Sequence, residues 1–220
     1  MAATSEGKGI ARVMYWPGEF NYSKIINFGV EHAKGDYLLL LNNDTEVISP
    51  DFIEEMMGYL QRPDAGVVGA KLYFADHLVQ HAGILVGVRG ALAHANQDFS
   101  AKREGYLARA VRPGNFSAVT GTCQMVRRDV FEQVGGYNEE FAVGFNDADF
   151  CLRVWEAGYR TIFTPYVELY HYDPSIYSIA CFNLQQQRYH SQSARAIAVT
   201  SSRRDGRRRA MMYLHERPAV

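Results

Sequence analysis

Three places in this chain carry residue types that could do chemistry together. The first is Asn42-Asn43-Asp44, a polar triplet that follows the apolar run Tyr37–Leu41. Carboxylate and amide oxygens are hard ligands suited to magnesium or manganese, and such a cation would neutralise phosphate groups. Taken without its strand, the same triplet is equally a polar turn. The second is Asn146-Asp147-Ala-Asp149, which opens an amphipathic segment carrying Phe150, Arg153, Val154 and Ala157. Acids in a first helical turn are favoured by the helix dipole, and Asn146 could serve as cap, so structure alone could account for the cluster. The functional reading is that one carboxylate projects into a cleft as a general base. The third is His171 in Glu168-Leu-Tyr-His-Tyr-Asp-Pro. A neutral imidazole can complete a metal shell begun by a carboxylate, although a lone histidine beside aromatics is more often an ordinary packed residue. His81, in His81-Ala-Gly, and His94 are weaker candidates.

The elements that would position these residues follow from hydrophobic periodicity. Ala11 to Trp16 reads as a short strand. Asn21 to Ala33 reads as a helix with Ile25, Ile26, Gly29, Val30 and Ala33 on one face. Tyr37–Leu41 is apolar without alternation, as in a strand covered on both faces. A helix over Pro50–Leu60, opened by Ser49 as cap, leads to a second apolar strand, Val67–Leu72. This order is doubly wound, and it sets Asn42 to Asp44 at a strand's carboxyl end, where open sheets bind ligands. Further on, short strands are expected at Ile84–Val88, Ser117–Thr120, Gln124–Val126 and Thr161–Phe163. Helices are expected at Asp129–Val134, Asp147–Ala157 and about Ile176–Ala198, with disorder beyond.

Composition narrows the class. The 220 residues are 47% apolar, enough for one globular domain with a sizeable core. No apolar stretch is long enough to cross a membrane and the first residues do not resemble a secretion signal, so a cytoplasmic protein is the expectation. Cys123, Cys151 and Cys181 are widely spaced and are expected to be reduced, buried thiols. Six arginines (203, 204, 207, 208, 209 and 217) against Asp205 and Glu216 make the tail strongly positive in an otherwise acidic chain. That tail reads as a solvated, mobile end, with contact to anionic lipid or nucleic acid as the alternative. The motifs G-x-G-x-x-G, G-x-x-x-x-G-K-[ST], G-x-S-x-G and H-E-x-x-H are all missing, which removes support for dinucleotide, P-loop, serine-hydrolase and zincin chemistry.

Over roughly Arg12 to Ser178 these segments together resemble glycosyltransferase family 2. Asn27-Phe-Gly and Ala33-Lys-Gly-Asp-Tyr followed by LLLLNNDTEV resemble the family's helix, strand and D-x-D element. VTGTCQMVRRDVFEQVGGYNEEF resembles the segment before the catalytic loop, and NDADFCLRVWEAGYR the E-D-x-D-x-x-x-R-x-x-x-x-G signature. The resemblance implies the GT-A fold, an α/β architecture with a mostly parallel sheet flanked by helices, here without the family's amino-terminal strands. It divides the chain into a disordered or tag-like lead over 1–10, a partial glycosyltransferase domain over 11–180, and a helix with a basic, disordered tail over 181–220. It also implies inverting transfer of a sugar from a nucleotide-diphosphate donor to an acceptor hydroxyl, with a divalent cation, manganese or magnesium, as cofactor. Asp147 would be the base, Asp44 and His171 the metal ligands, and Asn42 and Asn43 donor contacts. Asn146, Asp149, Gly121 and Thr122 would support the loop or the acceptor. Asn42 and Asn146 both depart from the family pattern, which usually has acids there. The stretch VQHAGILVG, with His94, looks most like bacterial surface-polysaccharide and rhamnosyltransferase-like members. The implied partners are a nucleotide-sugar donor and a glycan or lipid-linked acceptor, with no nucleic acid and with contact to the inner membrane face left open. A degenerate carbohydrate- or nucleotide-binding domain and a metal-dependent nucleotidyltransferase are the rival readings.

Overall fold

The computed structural model describes residues 14, 16, 18–88 and 90–172, with the backbone of 5–6, 12–13, 194–200 and 210–216. Its spine is strand β3, Tyr37–Asn42, whose four leucines are all buried. Leu38 and Leu40 point into one core with Ile25, Ile26, Phe131, Phe150 and Phe163, and Leu39 and Leu41 into a second with Met56, Leu60, Val68 and Leu72. Burial on both faces explains why this strand has no polar alternation, each leucine contributing about 1.5–3 kcal/mol.

Helix α1, Tyr22–His32, covers the first face, its N-cap Asn21 accepting from the amide of Lys24. Helix α2, Phe52–Leu60, covers the second. The expected cap at Ser49 is replaced by Asp51, which makes no side-chain cap bond. The Ser49 hydroxyl instead donates to the Tyr166 carbonyl and accepts from the Glu168 amide. With its hydroxyl committed to these partners, more than a hundred residues away in sequence, Ser49 does not cap α2.

Strand β5, Ala65–Tyr73, is buried throughout. Between it and β3 lies β10, Cys123–Arg127, antiparallel to both, with Met125 opposite Leu39 on one side and Val68 on the other. On its other side β5 pairs in parallel with β11, Arg160–His171. Strand β4, Thr45–Val47, then runs antiparallel to β11 and sets His171 opposite Thr45. Short strands β6, Val79–His81, and β9, Gly114–Asn115, flank β5 and β11 respectively. The sheet is therefore mixed rather than mostly parallel. A separate hairpin is formed by β7, Ile84–Val88, and β8, Ala91–His94. The expected strand at Ser117–Thr120 reduces to a single bridge between Ala118 and Ile84. Two helices complete the frame, α3 at Arg128–Gln133 and α4 at Asn146–Glu156.

The ends also differ from expectation. Ser5–Glu6 and Arg12–Val13 form β1 and β2, within and just after a stretch that reads as a disordered lead. Ala194–Thr200 is strand β12 rather than the end of a helix, and Ala210–Glu216 is β13. Residues 173–193, which hold most of that expected helix, lie outside the described residues. Strand β13 runs parallel to β3, from Ala210 opposite Leu38 to Leu214 opposite Asn42. The edge of β3 away from β10 is thus covered by carboxyl-terminal chain, in a region that reads from sequence as disordered.

Candidate functional site

Asp44 sits where β3 turns into β4, and the β4–β11 pairing carries the end of β11 alongside it. The Tyr172 amide donates to the Asp44 carbonyl at 3.0 Å. His171 Nε2 then lies 3.2 Å from Asp44 Oδ1. The His171 side chain is only 2% exposed and that of Asp44 40%, so one carboxylate oxygen is buried and the remainder is open.

The tautomer of His171 follows from Gln80, a buried residue of β6. The Gln80 Nε2 amide donates to the His171 carbonyl at 3.3 Å, which directs Oε1 at His171 Nδ1, 2.7 Å away. Nδ1 must then carry the proton, and Nε2 presents a lone pair to Asp44. Asp44 Oδ1, His171 Nε2 and Asn42 Oδ1 are all buried without a hydrogen-bond partner. Two facing acceptors with nothing between them are costly, and a divalent cation or an additional proton resolves the conflict. The donor set of carboxylate oxygen and imidazole nitrogen fits manganese or magnesium. Among the described residues no group of three or more His, Cys, Asp or Glu could hold a metal alone, so phosphate oxygens and water would supply the remaining ligands.

Asn42 is tied into β3 by its amide, which donates to the Thr122 carbonyl at 2.9 Å, while Thr45 Oγ1 donates to its own carbonyl. Asn43 is exposed. Thr122 is buried, and its hydroxyl lies 3.3 Å from that of Thr120.

Asp147 stands in the first turn of α4. Its Oδ1 accepts from the Ala148 amide at 2.8 Å and its Oδ2 from the Gly121 amide at 3.1 Å. The helix is not capped by Asn146, which is its first residue; Phe145 holds the N-cap position in the left-handed region, at φ 65°. That conformation costs a non-glycine residue about 1–3 kcal/mol, strain of a kind that clusters at functional sites. Buried Asn146 accepts from the Asp147 amide at 2.7 Å. Asp149 is engaged within its own helix. It pairs with Arg153 through Nε and NH2, and Arg153 NH1 donates to the carbonyls of Val134 and Gly136. This clamp fixes α4 against the turn after α3.

Gly121 joins the parts. Its amide holds Asp147 and its carbonyl accepts from the Tyr22 hydroxyl at 3.0 Å, and a Cβ there would stand 3.0 Å from that hydroxyl and 3.6 Å from Asp147 Cβ. Burial raises the Tyr22 phenol far above its ordinary range, and the charges of Asp147, Asp44 and Cys123 push it further. The Asn42 amide is bound to Thr122 and the Asp147 carboxylate to Gly121, so two neighbouring residues join the two acidic clusters, which are about a hundred residues apart in sequence. Gln80, Tyr22 and Thr120 do not stand out in their sequence context. Gln80 has one signal, a polar residue in the apolar approach to His81.

A profile for glycosyltransferase-like family 2 matches residues 17–192. The chain belongs to glycosyltransferase family 2. It is 38% identical over 72% of its length to the O-antigen biosynthesis protein RfbC of Myxococcus xanthus, of which it spans 12%. It is 27% identical over 62% of its length to N-acetylglucosaminyl-diphospho-decaprenol L-rhamnosyltransferase of Mycobacterium tuberculosis, of which it spans 47%. The chain thus spans less than half the length of either curated relative. Among solved structures, GalNAc-T7 with UDP, GalNAc and Mn2+ superposes at TM-score 0.54 with 13% identity, covering 70% of this chain and 30% of that one. That likeness shows the fold, which is GT-A. No helix among the described residues is long and apolar enough to cross a membrane.

Proposed function

We propose that this chain transfers a sugar, with inversion, from a nucleotide-diphosphate donor to the hydroxyl of a glycan or lipid-linked acceptor in bacterial surface-polysaccharide synthesis. The observation that carries the proposal is the pair of buried acceptors Asp44 Oδ1 and His171 Nε2, 3.2 Å apart with no hydrogen-bond partner, at a strand end that Thr122 and Gly121 join to Asp147. A divalent cation bound there, manganese or magnesium, would neutralise the charge that develops on the departing diphosphate.

The chain's own residues supply the rest. Asp147, oriented by the amides of Gly121 and Ala148, accepts the proton of the acceptor hydroxyl as that oxygen attacks the anomeric carbon. A single base facing the leaving group across the sugar is the arrangement for one direct displacement, hence inversion. Tyr22 keeps the Gly121 carbonyl engaged and so holds the amide that steers Asp147. Asn42 and Asn43 stand at the strand end as donor contacts, Asn42 replacing the first acid of the D-x-D element. The narrower rhamnosyltransferase-like reading is supported by VQHAGILVG and by the name of the mycobacterial relative. A lipid-linked acceptor would bring the protein to the inner membrane face.

The test is calorimetric titration with UDP, GDP and dTDP, each with manganese and with chelator, followed by an acceptor screen. Metal-dependent binding of one nucleotide is expected, and Asp147→Asn should retain it while transfer falls about 10²–10⁴-fold. Full turnover by Asp147→Asn would overturn the assignment of the base. Turnover equal with and without chelator would overturn the metal's role.

A further inference from the structure

Two histidines have no role in the chemistry above. His81 ends β6 and is completely buried, while His94 ends β8 and remains partly accessible. Their Nδ1 atoms are 2.9 Å apart, with the rings edge to face. A hydrogen bond between two imidazole nitrogens requires one donor and one acceptor, and the surroundings of His81 decide which is which. Its Nε2 receives the backbone amides of Gly83 at 3.2 Å and Thr120 at 3.4 Å. Backbone amides only donate, so Nε2 offers a lone pair and the His81 proton sits on Nδ1. His81 is therefore the donor, His94 Nδ1 the acceptor, and the His94 proton is left on Nε2.

That proton has no protein partner among the described residues, so a purely structural pair would leave half of His94 unused. The backbone explains how this is held. Gly83, at φ 97°, turns the chain back toward His81, and a Cβ there would strike the Phe116 ring at 2.3 Å. Burial opposes a charge on either ring. His81, which orients His94, stands between Gln80, whose side chain holds His171, and the Thr120 amide, next in the chain to the Gly121 amide that holds Asp147, so the histidine pair lies beside both the base and the metal-binding pair. In a direct displacement the group between the base and the leaving diphosphate is the sugar itself.

Resting on the sugar-transfer reading, we propose that His94 is a specificity-determining residue whose Nε2–H donates to a hydroxyl oxygen of the transferred sugar, in a tautomer fixed by His81. A neutral donor of fixed tautomer discriminates between sugars, because a sugar lacking an oxygen at that point leaves a buried N–H unpaired.

The first test needs no ligand. NMR of the 15N-histidine-labelled chain at about pH 7.5, above the ordinary imidazole range, should show His81 protonated on Nδ1 and His94 on Nε2. In His81→Phe, His94 should relax to a mixture of tautomers. A His94 protonated on Nδ1 in the native chain would overturn the inference. The second test is calorimetry with manganese on three pairs: UDP and UDP-N-acetylglucosamine, GDP and GDP-mannose, dTDP and dTDP-rhamnose. For the pair that binds, His94→Phe should leave nucleoside-diphosphate affinity unchanged and lower the ratio of sugar-nucleotide to nucleotide affinity about tenfold. His94→Gln, which keeps an N–H, should recover part of it. An unchanged ratio in His94→Phe, or an equal loss for both ligands, would overturn the role of His94 and leave the transferase reading intact. Failure of every pair to bind the native chain would overturn the donor-site reading and this inference with it.

Discussion

Replacing Asp44 by asparagine should stabilise the metal-free protein, although Asp44 stands at the centre of the proposed metal site. The reasoning is local. His171 Nδ1 donates to Gln80 Oε1 at 2.7 Å, so Nε2 faces Asp44 Oδ1 across 3.2 Å with lone pairs on both atoms. Where neither a proton nor a cation enters between them, nothing relieves that contact. The carboxamide introduced by Asp44→Asn can place its nitrogen where Oδ1 was and donate to His171 Nε2, a hydrogen bond worth about 0.5–1.5 kcal/mol net. For a domain of this size that corresponds to a rise in Tm of about 1–6 °C. With manganese the order should reverse, because ligand at a hundredfold excess over its Kd stabilises by about 2.7 kcal/mol and only the native carboxylate retains tight binding. The assay is thermal denaturation of both proteins at one fixed pH, in chelator and in a manganese series. An Asp44→Asn variant less stable than the native chain in chelator would refute the lone-pair argument. One stabilised by manganese as strongly as the native chain would refute the metal assignment.

Gln80→Leu removes the group that fixes the His171 tautomer and leaves a buried N–H and carbonyl unpaired. The expected loss is about 1–3 kcal/mol of stability and about 10–100-fold in manganese affinity, read by chemical denaturation and calorimetry. Unchanged manganese binding would show that Gln80 does not orient the ligand. Stability should also fall on mild acidification through His81, whose basicity burial and then His94 depress well below the ordinary value of 6.5. The unfolded chain then binds more protons below about pH 6.5, so this contribution is complete above that value. It is lost toward the lower folded pKa at up to about 1.4 kcal/mol per pH unit. Urea denaturation between about pH 7.5 and 5.5 measures the slope, and His81→Gln should flatten it. The same slope in that variant would place the dependence on other groups.

The amino-acid sequence by itself determined the elements that are locally encoded. Periodicity places α1, β3 and α4 within a residue or two, because one apolar face or a continuous apolar run is a property of neighbouring residues. It also marks Asp44, Asp147 and His171, because chemically capable side chains at the ends of apolar elements are visible without a fold. What it could not supply was anything set by pairing across distance. Ser49 reads as a cap, yet its hydroxyl is engaged by Tyr166 and Glu168, far along the chain. Gln80 looks like an ordinary strand residue until β6 brings it against His171, and His81 and His94 are weak singly because their meaning lies in a 2.9 Å contact between them. The carboxyl-terminal strands read as helix and tail, since their pairing partners, β2 and β3, lie near the opposite end of the sequence. A hydrogen bond fixes a proton only when both partners are known, so the tautomers of His81, His94 and His171 were decided by tertiary structure alone.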